Sequence, residues 1–435
     1  MLKVDVAVVG GGSAGLAAAV AAARSGARTV LIERAGALGG MATGALVHSI
    51  CGLYLLRDAP GAVLANPGFA SELALRLLRA GGARGPVRLG RVDVLLHDPP
   101  ALAWIADALV GSIPELELRL HSEVIETSGD GRLEGVDVWC RGARELVLAR
   151  AFVDATGDAT LAALAGAAFE QEPGDRLQRP AFIFTLHGIE ADALSDGARL
   201  RAAHRMVSAV RAGTLPSGAL GATLRPSGRP GEVMVTIDLP GPTGVAYDPL
   251  DPACLTALEV EGRRLACALA DYVRSDLPGF GASYLAALPA RVGIRESRRV
   301  VGHHRIEASD VLTGARFDDA VALGTWPIEL RETTSGARLR FPDAARPYDI
   351  PLRALCARDV DNLFVAGRCI SASHAAQASA RVIGTCLATG EAAGLAAALH
   401  ALQPAARACP IMAADVLAAR ARVMLPHSER AAHAA

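Results

Sequence analysis

Hydrophobic positions open the chain as a short run of β-formers over residues 4–9, which stops at three glycines. An alanine-rich run over 16–24 follows and reads as a helix; Ser25-Gly26 breaks it. Residues 28–32 then read as a second strand, ending on Glu33. Apolar spacing predicts an amphipathic helix over 69–80, stopped by Gly81-Gly82, and a strand over 92–96. Asp98-Pro99-Pro100 starts a helix over 101–110, because proline is tolerated in a first helical turn. Residues 116–126, 133–140 and 146–153 are strand regions, the first two separated by the Gly-Asp-Gly turn at 129–131.

The pattern changes over 171–346. Residues 182–187 and 233–238 are strand-like, 216–230 is rich in glycine and proline and reads as loop, and 256–275 is a long helix candidate ended by Pro278-Gly279. The chain then returns through 348–351, a short buried strand at 362–366, a loop over 367–373 and a helical run over 379–399. Beyond Pro404 it is alanine-rich, with a helix predicted over 413–424 and a disordered end. This divides the chain into a first nucleotide-binding part (1–170), an inserted substrate or cap domain (171–346), a second nucleotide-binding part (347–400) and a helical tail (401–435).

Strand, glycine turn, helix, strand and acid are the context that a dinucleotide fingerprint requires. Gly10 allows the tight turn, Gly12 lets the backbone close on a pyrophosphate, and Gly15 lets helix and strand approach. The free amides of Ser13 and Ala14 at the helix start face phosphate, and Glu33 accepts from ribose hydroxyls. A carboxylate there repels the 2′-phosphate of NADP. The competing reading is a glycine turn in an ordinary α/β protein. No second GxGxxG follows a strand, so a separate nicotinamide domain is not evident.

Composition narrows the field. With 435 residues, 51% hydrophobic content and 45 glycines, the chain suits a large α/β enzyme. Its formal charge of −1 offers no bulk field to nucleic acid or an anionic membrane. No secretory signal is visible and the alanine-rich segments are too short to span a bilayer, so a cytoplasmic protein is expected. The eight cysteines are scattered without CxxC spacing, and His303-His304 on a strand would point to opposite faces, so no metal site is expected.

Several stretches carry a resemblance. Gly10 to Gly15 (GGGSAG), the run ending Glu33-Arg34 and the glycine pair Gly39-Gly40 with Met41, Ala42 and Thr43 resemble the opening of FAD-dependent oxidoreductases with the glutathione-reductase type of FAD fold. Residues 154–158 (DATGD), 295–302 (RESRRVVG), 326–328, 348–351, 362–374 (NLFVAGRCISASH) and 385–394 resemble the same family, which is distantly related to the fumarate-reductase flavoproteins. The likeness runs from Val4 to about Leu399. It implies an α/β, Rossmann-like FAD-binding domain with an inserted substrate/cap domain containing a mixed sheet. It also implies non-covalent FAD. Arg34 and Gly39 to Thr43 would then follow the pyrophosphate and ribityl chain, Val124 would meet the adenine, and Thr156 and Gly157 would line the site. Gly367 and Arg368 would pass the ribityl and phosphate region, with Gly384 and Thr385 nearer the pyrimidine edge. His48, near where relatives can carry covalent flavin, does not match the spacing well and is expected as a wall residue.

For catalysis, His374, Gln377 and Arg381 share one side if their stretch is helical. Either His374 lies over the flavin as base or oxyanion partner, with Arg381 holding an anionic group, or both serve the packing of the loop. Ala375 and Ala378 depart from the family pattern. Arg295, Arg298 and Arg299 with Glu296 either pin the cap or send an arginine (Arg295 or Arg298) to a substrate carboxylate; extended and helical conformations both remain open. The expected function is a dehydrogenase or oxidase that takes a hydride from a small polar substrate, anionic or neutral, and passes electrons to oxygen, a quinone or another carrier. A flavin monooxygenase, a double-bond reductase and a non-catalytic nucleotide-binding scaffold are the alternatives. Substrate identity, direction of electron transfer and oligomeric state stay open.

Overall fold

Strands Val6–Val9, Thr29–Ile32, Ala151–Asp154 and Leu363–Val365 are buried along their whole length, as a parallel sheet covered on both faces demands. Together with Leu116–Arg119 they form a five-stranded sheet in the order Leu363–Val365, Ala151–Asp154, Val6–Val9, Thr29–Ile32, Leu116–Arg119, parallel at every pairing. The chain leaves Val6–Val9 toward one neighbour and returns on the other side. Ligands of such sheets sit in the crevice at that switch point. The structure is a computed structural model that describes residues 1–57, 61–241, 247–334, 336–403 and 411–424.

Two helices close one layer: Ser13–Arg24, which follows the glycine turn, and Ile383–Leu402 from the far end of the chain. Small residues let them pack backbone to backbone. A Cβ on Gly390 would overlap the carbonyl oxygen of Ala14, and one on Gly394 that of Ala18. A second sheet (Leu2–Lys3, Ala143–Leu148, Gly135–Cys140, Glu123–Ser128) sends Val124, Val136, Val138 and Val147 into the same core.

The inserted cap has its own core. Its four-stranded sheet runs Thr223–Pro226, Glu232–Asp238, Ala181–His187, Tyr284–Ala287, and the expected fold class holds with one detail changed: the pairing is antiparallel throughout rather than mixed. The two-residue alternation of strands divides its faces. Phe182, Phe184, Val233, Val235 and Ile237 pack with Leu258, Leu265 and Leu269 of the helix Pro252–Asp276. Ala181, Ile183, Thr223, Arg225 and Thr236 point the other way, into a cleft shared with the parallel sheet.

Several local expectations change. Thr223–Pro226 is a strand inside the 216–230 stretch read as loop, and the helix Asp196–Arg211 had no prediction. The 116–126 strand splits at His121, whose φ of 53° turns the chain. The single helix expected over 379–399 is two, His374–Ala380 and Ile383–Leu402, meeting at 93°. The break falls at Val382, extended at ψ 151°. Among the described residues no single helix is long and apolar enough to cross a membrane; this bent pair passes by length and composition, but its residues are mostly core. The helix Ala413–Met424 is described, while the end expected to be disordered lies outside the described residues.

If the glycine seam holds the two helices together, Gly390→Ala should destabilise the fold by about 1–3 kcal/mol through overpacking against backbone. Gly111→Ala, at the end of the helix Pro99–Gly111 with nothing within 4 Å of a new Cβ, should be neutral or stabilising by about 0.5–1 kcal/mol. Urea midpoints of the two variants in the reverse order would refute the seam.

Candidate functional site

The fingerprint turn has the geometry its residues predict. Gly10 sits at φ +97°, and a Cβ there would lie 2.6 Å from Ala155 O; a Cβ on Gly15 would overlap the carbonyl of Gly10. Gly12 differs. The only atom near its Cβ position is Gly40 Cα at 3.9 Å, so the space beside it is kept for something other than protein. Glu33 is 4% exposed and ties the turn, accepting from Gly11 N (2.5 Å) and Ala35 N (2.8 Å). Glu33 also lines the cleft.

The cleft holds about 410 Å³ of open space. Gly10, Gly12, Ser13, Ala14, Glu33 and Arg34 line it, as do Gly40, Met41, Val124, Thr156, Gly157, Gly367 and Arg368. The remaining expected cofactor residues lie behind its wall and shape it. Gly39 (φ +100°) leaves its Cβ place to the Thr43 side chain, and Thr43 Oγ1 donates to Leu38 O at 2.7 Å. Gly15 and Ala42 are buried, and Gly384 packs directly on the backbone of Gly52. Thr385 is fully buried, with its hydroxyl unpartnered among the described residues. Asp158, which closes the DATGD turn, is the acceptor of this region: Ser297 Oγ donates at 2.7 Å and Arg368 Nη2 at 2.9 Å, and Arg34 Nη2 lies 3.7 Å away. Burial works against its charge, but Arg368, Ser297 and Arg34 outweigh it and hold the carboxyl below its usual range. An open glycine, free helix-start amides, a buried carboxylate and flanking guanidiniums fit an FAD.

Under the cap sheet the lining turns cationic. Arg295 pairs with Asp238 at 2.8 Å, and Arg331 bridges Asp238 and Glu329 at 2.7 Å each. Burial pushes Glu329 up, but Arg331, Arg381 and the Trp326 indole N–H outweigh it and hold the carboxylate at about 2. Arg381 donates to Gln178 Oε1 (3.1 Å) and Glu329 O (3.3 Å), while its buried Nε has no partner among the described residues. Burial lowers it to about 10, Glu329 working the other way. Arg225 also lines the cleft and makes no hydrogen bond or ion pair among the described residues. Beside it His48 is 5% exposed, with both ring nitrogens unpartnered among the described residues; burial, then His97 and Arg225, lower its pKa to about 3, so the ring is neutral.

His374 is elsewhere. It is 8% exposed and does not line the cleft; its Nδ1 lies 2.8 Å from Glu296 Oε1 and its Nε2 3.4 Å from Glu332 Oε1. The sequence expectation of a ring over the flavin therefore does not match its contacts, which two carboxylates occupy. The bond network leads back to the cleft indirectly. Glu296 Oε2 accepts from Gln178 Nε2 at 3.4 Å, and Gln178 in turn receives Arg381. The 294–298 segment is not helical. It aims Arg295 at the cleft, buries Arg299 on Glu296 (2.5 Å) and lays Arg298 over the Phe169 ring at 5.2 Å, off the cleft. Sequence reasoning missed Arg225, Arg291, Glu329 and Arg331 as lining residues. Glu329 and Arg331 follow directly on the 326–328 motif and could have been found there, whereas the two others are single arginines without a local pattern.

Burial disfavours the charged ring of His374, yet hydrogen bonding and charge from Glu296, then Glu172 and Glu332, outweigh it and raise its pKa. A raised pKa means the folded state binds the proton more tightly than the unfolded chain. The stabilisation is therefore complete below pH 6.5, the ordinary value, and is lost as pH climbs through the folded value. Thermal midpoints of wild type and His374→Gln should differ most in mild acid and converge as pH rises from 6.5; a gap independent of pH would refute the ion pair.

Comparison with known proteins gives one decisive match. The family described as FAD dependent oxidoreductase matches residues 5–408. No curated protein sequence matches. Among solved structures, a geranylgeranyl bacteriochlorophyll reductase-like protein from Thermoplasma acidophilum is 14% identical over 92% of this chain and 79% of its own, with a TM-score of 0.44. The flavin-dependent brominase Bmp2 is 14% identical over 97% and 83%, with a TM-score of 0.48. The p-nitrophenol 4-monooxygenase PnpA from Pseudomonas putida DLL-E4 is 12% identical over 99% and 92%, with a TM-score of 0.48. At these values the likenesses say nothing of this chain's substrate. With the family matched over residues 5–408, and a cleft whose residues fit the cofactor, the chain belongs to the FAD dependent oxidoreductases and binds FAD non-covalently.

Proposed function

We propose that this oxidoreductase takes a hydride from a small substrate bearing an anionic group, at a C–H bond next to a hydroxyl or amine. One observation carries the reading: the cap end of the cleft presents Arg225, unpaired among the described residues, and Arg381, whose buried Nε is unpartnered. Among the described residues, Arg295 and Arg331 pair with Asp238 and Glu329, and Arg225 and Arg381 have no ion pair with a carboxylate. Guanidiniums without a carboxylate partner in a cleft favour a carboxylate ligand.

Two-electron acceptor chemistry is supplied by FAD when bound. The chain's own part is to bind, orient and keep water out. Arg225 and Arg381 fix the anionic group, so the reacting carbon is held at one place in the cleft. Ile183, Trp326 and Val382 line the same space with apolar surface. Neutral His48 offers an N–H and a lone pair to the substrate's hydroxyl or amine. His374 acts at a distance, holding Glu296, through which Gln178 fixes Arg381.

A flavin-dependent monooxygenase is the second reading, and His48 favours it. A ring with a pKa near 3 is a weak base for drawing off a hydroxyl proton, and oxygen insertion asks for no such base there.

An anaerobic screen of 2-hydroxy acids, amino acids and their neutral analogues, followed at the flavin's visible band, tests the proposal. Bleaching by an anionic member alone is expected; bleaching only by NAD(P)H, with oxygen inserted into the substrate once air is admitted, would put the monooxygenase in its place. Arg225→Gln should keep FAD and raise KM for the anionic substrate about 10- to 100-fold, the loss of one charge-assisted bond. An equal effect on a neutral analogue would rule out the anion clamp.

A further inference from the structure

Arg291 belongs to the cap by sequence position but not by location. The loop that carries it is pinned to the glycine-pair helix Met41–Gly44, where Ala290 N (2.8 Å) and Arg291 N (3.2 Å) both donate to Gly44 O. Its guanidinium lies against Gly40 and Gly44. A Cβ on Gly44 would be 3.0 Å from Arg291 Nε, and one on Gly40 would be 3.8 Å from Nη2 and 2.7 Å from Gly12 Cα. This cation therefore stands beside Gly12, the residue whose Cβ space the protein leaves open.

Among the described residues no ion pair answers its charge; Glu33 and Asp158 act on it only from a distance. Nε is buried without a partner, and the side chain makes no hydrogen bond or ion pair among the described residues. The neighbouring carboxylates are engaged: Glu33 with the amides of Gly11 and Ala35, Asp158 with Ser297, Arg368 and Arg34. Three guanidiniums, those of Arg34, Arg291 and Arg368, thus line this part of the cleft together with the helix-start residues Gly12, Ser13 and Ala14. A site of this composition takes a group with two negative charges.

We infer that Arg291 binds the diphosphate of FAD from the cap side, so that the cofactor latches the cap loop onto the FAD-binding domain. The adenosine and phosphate contacts then come from the two ends of the nucleotide fold, and the closing contact comes from the insertion between them.

The test uses the full chain stripped of flavin, with Arg291→Met and Arg291→Lys beside wild type, and reads FAD binding from quenching of flavin fluorescence. Arg291→Met should weaken FAD about 10- to 100-fold. Arg291→Lys should recover part of that, and the dependence of affinity on salt should flatten in the Met variant. ADP, which carries the same diphosphate, should lose affinity alongside FAD, while adenosine, which lacks it, should bind all three proteins alike. Should Arg291→Met not fold, the Lys variant still decides, by weaker FAD and ADP with unchanged adenosine. Unchanged FAD affinity in either folded variant, or an equal loss for adenosine, would overturn the inference. A normal FAD affinity with a raised KM for an anionic substrate would overturn it too, and would assign the guanidinium to the substrate.

Discussion

Backbone must approach backbone at the glycine turn, and most of the site depends on that approach. Gly15 sits where any side chain would strike the carbonyl of Gly10, and Gly390 and Gly394 bring the last core helix onto the first at the same closeness. Because the two helices touch without intervening side chains, the start of one aims its amides at the cleft while the segment entering the other delivers Arg381, Val382 and Ile383 to its far end. Neither the phosphate end nor the substrate end could be placed this way if the helices stood a normal side-chain distance apart.

A second constraint is the cost of buried charge. Glu296 is wholly buried, and it is tolerable only because Arg299, His374 and Gln178 share it. The same sharing joins the pieces of the molecule: Gln178 leads into the cap, His374 into the helix before the core helix, and Arg299 into a strand paired with Phe169–Glu170. Removing one partner would leave an uncompensated charge inside the protein, so the cluster fixes the cap's position as well as its own. Arg381 inherits that fixed position through Gln178.

What could be read from the sequence was what local spacing determines. Gly10, Gly12, Gly15 and Glu33 declare themselves by order alone, and the chain folds them into the turn that this order implies. The parallel strands were legible as short apolar runs, because burial on both faces leaves no polar position to interrupt them. Thr223–Pro226 was hidden, since a strand with Gly221 before it and Pro226 at its end looks like a loop until Glu232–Asp238 supplies a partner. His374 misled for a tertiary reason. Its spacing to Arg381 is helical, but the chain bends by 93° beyond Ala380, and Glu296 and Glu332 capture the ring from distant segments. Arg225 and Arg291 are isolated arginines whose meaning arises only when the cap sheet and its loop fold over the cleft.

The pairing of the first and last core helices also bears on how the protein is made. Residues 13–24 leave the ribosome long before their packing partner, residues 383–402. The strand Leu363–Val365, which completes one edge of the parallel sheet, is equally late. In the interval the cap can collapse on its own core, which is contiguous in sequence, while the alanine face of the first helix has nothing to cover it. Contacts between such distant segments close slowly, and apolar surface waiting for them is where chains stick to one another. A nascent chain that stops short of residue 383 therefore holds a folded insertion inside an unfinished host, with the glycine turn present but the helix that steadies it missing.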